Sequence, residues 1–504
     1  MKKLVLSAAV AFLATSTAMA QDNRDYSAQS GNDNIATTTQ AGDSNENYLL
    51  QWGDENTSTV SQTGDENLSG AIQFGDDNTT SVFQNGEGNS SGLLQSGNLN
   101  KAKIIQGNDG NIGELTNNNT SLATQFGNSN DVTVRQTGSA GNNISETSQT
   151  GDQNKILVRQ NGNIGIGGND ALVIQEGDRN EADAYQRGAG NKVSVDQDGN
   201  DNKAKLYQYD NTNDATVEQT GNRNIAEGLQ TGNTNFMRVR QGGTNHEAYV
   251  TQEGNNNTVY SQQSQTNNDL FVDQLGNGNY ASEFTYGHNN FVVIDQDGNT
   301  NKSIGHRMGD RNETYVSQIG NSNSSNIKQR NEGAANERVD DNLAAVLQIG
   351  DHNTNTMLQT GSLNIAGTYQ NGNSNTASST QNGNENIAGI AQVGNSNEAY
   401  VLQSGNKNIT LVGQLDNLNN AYAFQTGEEN LILAGQSGDN NTGVIGQVGD
   451  SNKMYLWQDG TGNTAMNLQW GDLNTATVTQ SGADHFHFGA QIGNGNTITV
   501  TQSN

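Results

Sequence analysis

Between Gln359 and Gln403 the chain alternates with a period of two and repeats with a period of eleven. Asn364, Ala366, Thr368 and Gln370 fall on one side of an extended segment and Ile365, Gly367 and Tyr369 on the other, the signature of a strand with one buried face. Gln recurs at Gln359, Gln370, Gln381, Gln392 and Gln403. Two residues after the first four stand Gly361, Gly372, Gly383 and Gly394, and five residues after them stand Asn364, Asn375, Asn386 and Asn397. The four residues between each Gln and Asn contain the Gly and polar neighbours, so they predict a turn. One unit is one strand and one turn, and its Gln, Asn and Gly rows are the candidate structural ladder.

The unit extends from Gln29 to Gln502 with about 40 Gln anchors, and Thr285 and Arg307 occupy two expected Gln positions. A weaker period of 22 overlies it, since Val195, Val217 and Val239 share a slot in alternate units, as do Gly70 and Gly92. Two units therefore make one rung. The predicted fold is all-β: an amyloid-like β-solenoid of strand-turn-strand-turn rungs over residues 29–504, each strand parallel to its counterpart one rung away. About 21 rungs at roughly 4.8 Å each give a rod on the order of 100 Å long. Longer spacings place insertions near 107–124, 138–142, 162–168 and 330–341. After the last three the strand pattern survives, as in Asn342 to Gln348, so the extra residues belong to turns.

Composition changes this picture only through its extremes. With 31% hydrophobic residues and a net charge of -29, the chain would read as disordered without the repeat. Pro 0 suits an uninterrupted ladder of backbone donors, and Cys 0 means that no disulfide framework holds the fold. Residues 1–20 carry Lys2 and Lys3, an apolar run from Leu4 to Leu13 and Ala18-Met19-Ala20, which predicts a signal peptide and export across the inner membrane. Residues 21–28 form a short segment before the first anchor. No later stretch approaches about 20 apolar residues, so no integral membrane segment is expected. The acidic balance disfavours nucleic acid and anionic lipid as partners.

The pattern at Gln29, Gly31, Asn34, Ala36 and Gln40, seen again at Gln381, Gly383, Asn386, Ala388 and Gln392, closely resembles the curlin repeat. That repeat builds the major and minor subunits of curli, the extracellular functional amyloid of Gram-negative bacteria. The resemblance covers nearly all of the mature chain. It implies a solenoid with inward Gln and Asn that self-associates into a cell-surface fibre supporting adhesion and biofilm matrix. It also implies a nucleating repeat protein and an outer-membrane secretion pore of the curli type as partners. Many repeats, where curli subunits have a handful, imply a large relative with a scaffold or adhesin role.

Other chemistry is sparse. Asp after the turn Gly, as at Asp54, Asp65, Asp76, Asp310 and Asp450, is expected to support the turn through its own backbone, with a calcium-binding row as the sharper alternative. His485 and His487 share one strand face, as a transition-metal pair or a degenerate terminal unit. Thr475, Thr477 and Thr479 lie one rung from Thr497, Thr499 and Thr501, an array known from ice-binding solenoids and equally from strand propensity. Tyr249, Tyr315, Tyr400, Tyr422 and Tyr455 share an outward slot. No nucleophile elbow or phosphate loop is present, so no enzyme, cofactor or metal site is expected. Neither end of the repeat region carries an atypical polar cap, which makes Ile498, Val500 and Gln502 the expected polymerisation edge. The competing reading is a monomeric secreted or surface-held solenoid adhesin that binds a ligand, carbohydrate or ice.

Overall fold

The computed structural model describes residues 22–107, 117–138, 141–162, 167–330 and 339–504. The expected signal peptide and the centres of the four expected insertions lie outside the described residues. Within them the chain is all-β, with 42 strands of six to nine residues running from β1 (Arg24–Ser30) to β42 (Thr497–Ser503). Odd-numbered strands form one parallel sheet and even-numbered strands a second, each of 21 strands. Each turn thus carries the chain across to the other sheet, and two strands complete a rung. Neither sheet closes on itself: among the described residues β1 pairs only with β3 (Glu46–Trp52), and β42 only with β40 (Thr475–Ala483).

Register is uniform because a shift of one residue would turn the inward row of every strand outward. Val173, Val195, Val217 and Val239 stack as successive partners in the first sheet, each at 2% exposure or less. The longer spacings do not disturb it. Gln95 still pairs with Gln125 and Gln106 with Gln136, so the inserted residues leave the strands in phase. Outward side chains also stack along the axis, with the Tyr400 and Tyr422 rings parallel and 5.3 Å apart.

The turn geometry explains the glycines. Gly361, Gly372, Gly383 and Gly394 have φ between 99° and 127°, a region that favours Gly. A Cβ on Gly383 would also run into the carbonyl of Gly405 on the next rung. Two residues later each turn holds a left-handed residue that need not be Gly, as at Leu363, Ser374, Glu385 and Ser396 with φ of 57° to 62°. Gly367, by contrast, lies on the outer face of β30 (Ile365–Asn371) with open space where a Cβ would sit. Gly383→Ala should therefore cost about 2 kcal/mol or more, whereas Gly367→Ala should be neutral or slightly stabilising. Denaturant midpoints of the two variants check this, and equal effects would contradict the turn geometry.

Candidate functional site

The interior is a polar lattice as much as an apolar core. Gln381, in β31 (Thr376–Asn382), donates from Nε2 to Gln403 Oε1 at 3.0 Å and accepts from Gln359 Nε2 at 3.0 Å. Its Nε2 also reaches Ile365 O in the opposite sheet at 3.0 Å. Gln348, Gln370, Gln392 and Gln414 make the matching ladder in the second sheet at 2.8 to 2.9 Å. Gln359, Gln370, Gln392 and Gln403 each make the same cross-sheet bond, to Leu343 O, Thr354 O, Thr376 O and Ile387 O. Each anchor therefore ties its own sheet along the axis and the two sheets to each other.

The Asn rows run with opposite polarity. Asn364 Oδ1 accepts both the backbone N–H and the Nδ2–H of Asn386 at 3.1 Å, while Asn364 Nδ2 donates to Gly383 O at 2.8 Å. Asn375 and Asn397 repeat the arrangement, with Asn375 Nδ2 on Gly394 O at 2.8 Å. The bare Gly is what lets the amide approach that carbonyl.

A third ladder corrects the expectation for the turn aspartates. Asp54 Oδ1 accepts the N–H of Asn32 at 2.7 Å, Asp76 that of Asp54 at 2.8 Å, and Asn98 that of Asp76 at 2.8 Å. Asp65, Asp310 and Asp450 take the N–H groups of Asp43, His288 and Glu428 in the same way. They serve the backbone of the preceding rung, not their own turn. The period and the Asp/Asn alternation at this position could have shown it, since either side chain offers the one oxygen required. Among the described residues no group of three or more His, Cys, Asp or Glu side chains is placed to hold a metal ion.

His485 stands in an Asn position, with its N–H on Asn463 Oδ1 and its Nε2 3.0 Å from Ser481 O, while His487 enters the core face of β41 (Phe486–Ile492). The two Thr rows pair across β40 and β42 as expected. Of the outward tyrosines, Tyr249 stacks on Phe271 at 5.2 Å and Tyr315 lies 5.8 Å from Phe291. Ile498 and Val500 face the core and Gln502 accepts from Gln480 at 2.8 Å.

At Thr285 and Arg307 the Gln ladder of the first sheet is broken. Arg307 is fully buried and its Nη1 meets Glu283 Oε1, while its Nε donates to Thr314 Oγ1 at 2.9 Å, which in turn donates to Gln329 Oε1 at 3.0 Å. Burial pushes the Glu283 carboxyl up, against the pull of the guanidinium. Sequence reading located Arg307 but missed Glu283, an acid in an inward slot one rung earlier. Elsewhere, from β28 (Leu343–Ile349) to β36 (Leu431–Ser437), the outer face of the second sheet bears no charge. Leu347, Tyr369, Gly413 and Trp457 contribute to a shallow apolar groove of about 1020 Å³.

A two-sheet parallel solenoid whose rungs are joined by axial Gln, Asn and turn-Asx ladders is a structural repeat protein of the curli type. The chain belongs to the curlin-repeat family: the curlin associated repeat is matched at residues 31–64, 53–82, 75–107, 177–209, 266–302, 383–415, 427–460 and 471–503. No curated protein matches the chain. Among the described residues no helix is long and apolar enough to cross a membrane.

Two predictions follow from the ladders and the charges. Gln381→Ala strips Gln359 Nε2 of its acceptor and Gln403 Oε1 of its donor, so it should cost about 2 to 4 kcal/mol. Thr376→Ala, a half-buried outward change in the same strand, should cost under about 1 kcal/mol, and chemical denaturation of both compares them.

Stacked carboxylates set the pH response. A hydrogen bond with Asp77 and that residue's charge raise Glu55, and burial raises Asp214, Asp269, Asp273 and Asp295, the last three with help from neighbouring acids. A raised folded-state value adds stability that is complete below the unfolded value and lost as pH rises through the folded one. Asp201 beside Arg179 and Asp341 beside Arg311 are held low and act in the reverse sense, but only at stronger acidity. Thermal midpoints should therefore rise from neutral pH down to about pH 5 and fall below about pH 4.

Proposed function

We propose that the chain is a fibre subunit of the curli type, exported to the cell surface, where it polymerises end to end and supports adhesion and a biofilm matrix. The observation that carries this reading is the polarity of the ladders. Each Gln donates toward the next rung, so the first rung leaves Gln29 Oε1 and Gln40 Oε1 facing outward, while the last rung leaves Gln491 Nε2 and Gln502 Nε2 facing the other way. Donors at one end and acceptors at the other allow a second copy to continue both ladders by the 22-residue step. The same step continues the backbone pairing of β41 and β42, and Ile498 and Val500, only partly buried in the single chain, gain the cover that their counterparts have in interior rungs. Such a head-to-tail contact does not close and yields a fibre. Family likeness favours a second repeat protein as nucleator and a curli-type pore for export.

A second reading, a monomeric adhesin, has the apolar groove of the second sheet in its favour, since outward rows with Asp295 as their one acid are unusual on a chain this acidic. Incubation of the mature chain decides between them. The fibre reading expects thioflavin-positive filaments with an axial repeat of about 4.7 to 4.8 Å. Thr499→Pro should slow seeded elongation by removing a backbone donor that faces the growing edge. A wild-type chain that stays monomeric at high concentration would leave the adhesin reading in its place.

A further inference from the structure

Inward slots in this solenoid are apolar or neutral polar almost throughout. Taking the positions two and four residues before each anchor of both sheets, ionisable side chains occur only at Asp25, Glu283 and His487. Glu283 is accounted for by Arg307. The other two stand in the same slot of the same sheet, four residues before Gln29 and four before Gln491, on the first and the last described rung.

Within the chain, neighbours in this slot touch: Asn47 Nδ2 donates to Asp25 Oδ1 at 2.7 Å. If a second copy adds its first rung to the last rung of the first in the register that all other rungs obey, its Asp25 takes the position beside His487. Both groups have reason to want that partner. Asp25 is exposed at the open end and accepts only from neutral donors, Asn47, Thr38 and Ser27. The adjoining Arg24 pairs with Asp22 and Glu46. His487 is half-buried, with its Nε2 shielded from solvent and without a hydrogen-bond partner. Ala465 of β39 (Thr464–Trp470) pairs with it, its Nε2 and the Asn467 side chain both lie over Gly489, and the other imidazole of that rung, His485, is held at Ser481 O. The flanking outward rows agree in the same register. Phe488, 59% exposed, would continue the stack of Tyr26 on Tyr48, whose rings are 5.1 Å apart, and Phe486, 62% exposed, would meet Arg24.

We infer that the junction between successive copies is specified by a buried ion pair, His487 of one copy with Asp25 of the next, so that end-to-end growth is favoured by protonation of that histidine. The inference rests on the fibre reading above and deepens it by naming the contact and its control. In the single chain, burial holds the His487 ring below its ordinary range. A carboxylate brought alongside favours the charged ring, so the junction raises the value relative to the free end. The sign follows: the added stability is complete below the free-end value and is lost as pH rises through the value in the junction.

The test is seeded elongation of the mature chain between about pH 5.5 and 8, across the imidazole range. Wild type should elongate about tenfold faster at the acid end. Asp25→Asn and His487→Gln should each slow growth there and flatten the profile, with circular dichroism of the soluble chain confirming that each variant is folded. The exchanged double variant, Asp25→His with His487→Asp, should regain rapid, pH-dependent growth on its own seeds yet fail on wild-type seeds, where like charges would meet. Fibres that grow at one rate across the range, or an exchanged variant that cross-seeds freely, would overturn the junction while leaving the fibre reading intact. Absence of wild-type fibres at every pH would remove both.

Discussion

Everything in this structure depends on the cost of burying primary amides. A Gln or Asn side chain taken out of water brings two donors and a carbonyl oxygen, and each one left without a partner costs about 1 to 3 kcal/mol. With a Gln and an Asn buried in nearly every eleven-residue unit, that penalty would exceed anything the thin apolar core returns unless almost all were met. The solenoid meets them by translation. What Gln381 offers, Gln403 needs, and the same sentence holds one rung on. Ladder, strand register and rung spacing are then one constraint, because an amide bond near 3.0 Å and a backbone bond near 2.9 Å must be satisfied by the same displacement.

From that constraint the rest of the sequence rules follow. Gly stands two residues after most of the Gln anchors because the Asn amide of the preceding rung must reach its carbonyl, and a side chain there would strike the next turn. Strands keep a fixed length and extra residues go to turns, since an insertion in a strand would shift every amide beyond it. Asp and Asn exchange three residues after Gln because both offer the acceptor oxygen that the backbone of the preceding rung takes there. Burial and neighbouring acids raise strand carboxylates such as Asp269, Asp273 and Asp295, which is why acid should stabilise the rod that the amides hold together.

Most of this was legible in the sequence, and the reason is the repetition. Period two within the unit gave the strand and its buried face, period eleven the turn, and period 22 the two-sheet rung. What escaped were contacts between residues that no single period relates: the bond from a Gln such as Gln381 to the opposite sheet, sixteen residues back, and the left-handed position at Leu363 or Glu385, where residue type varies too widely to announce its backbone. The turn Asp was assigned a local partner because Asx turns are usually local. Here the neighbouring rung is as close as the neighbouring residue, and it wins.

A stack of near-identical rungs has a weakness that the same regularity creates. Sliding one half of the chain by 22 residues would still match most Gln to Gln and Asn to Asn, so the ladders alone distinguish poorly between the native register and its neighbours. Glu283 and Arg307 remove that degeneracy. Their bonds run between unlike residues in different slots, with Thr314 and Gln329 completing the set across the core. A one-rung slip would leave a buried carboxylate or guanidinium unpaired, which costs about 3 to 5 kcal/mol. A hydrophobic or Gln replacement could be as stable in the native register, but it would be equally stable in the slipped one. The break in the ladder is therefore where a uniform fold acquires a unique alignment, at the cost of two charges taken out of water.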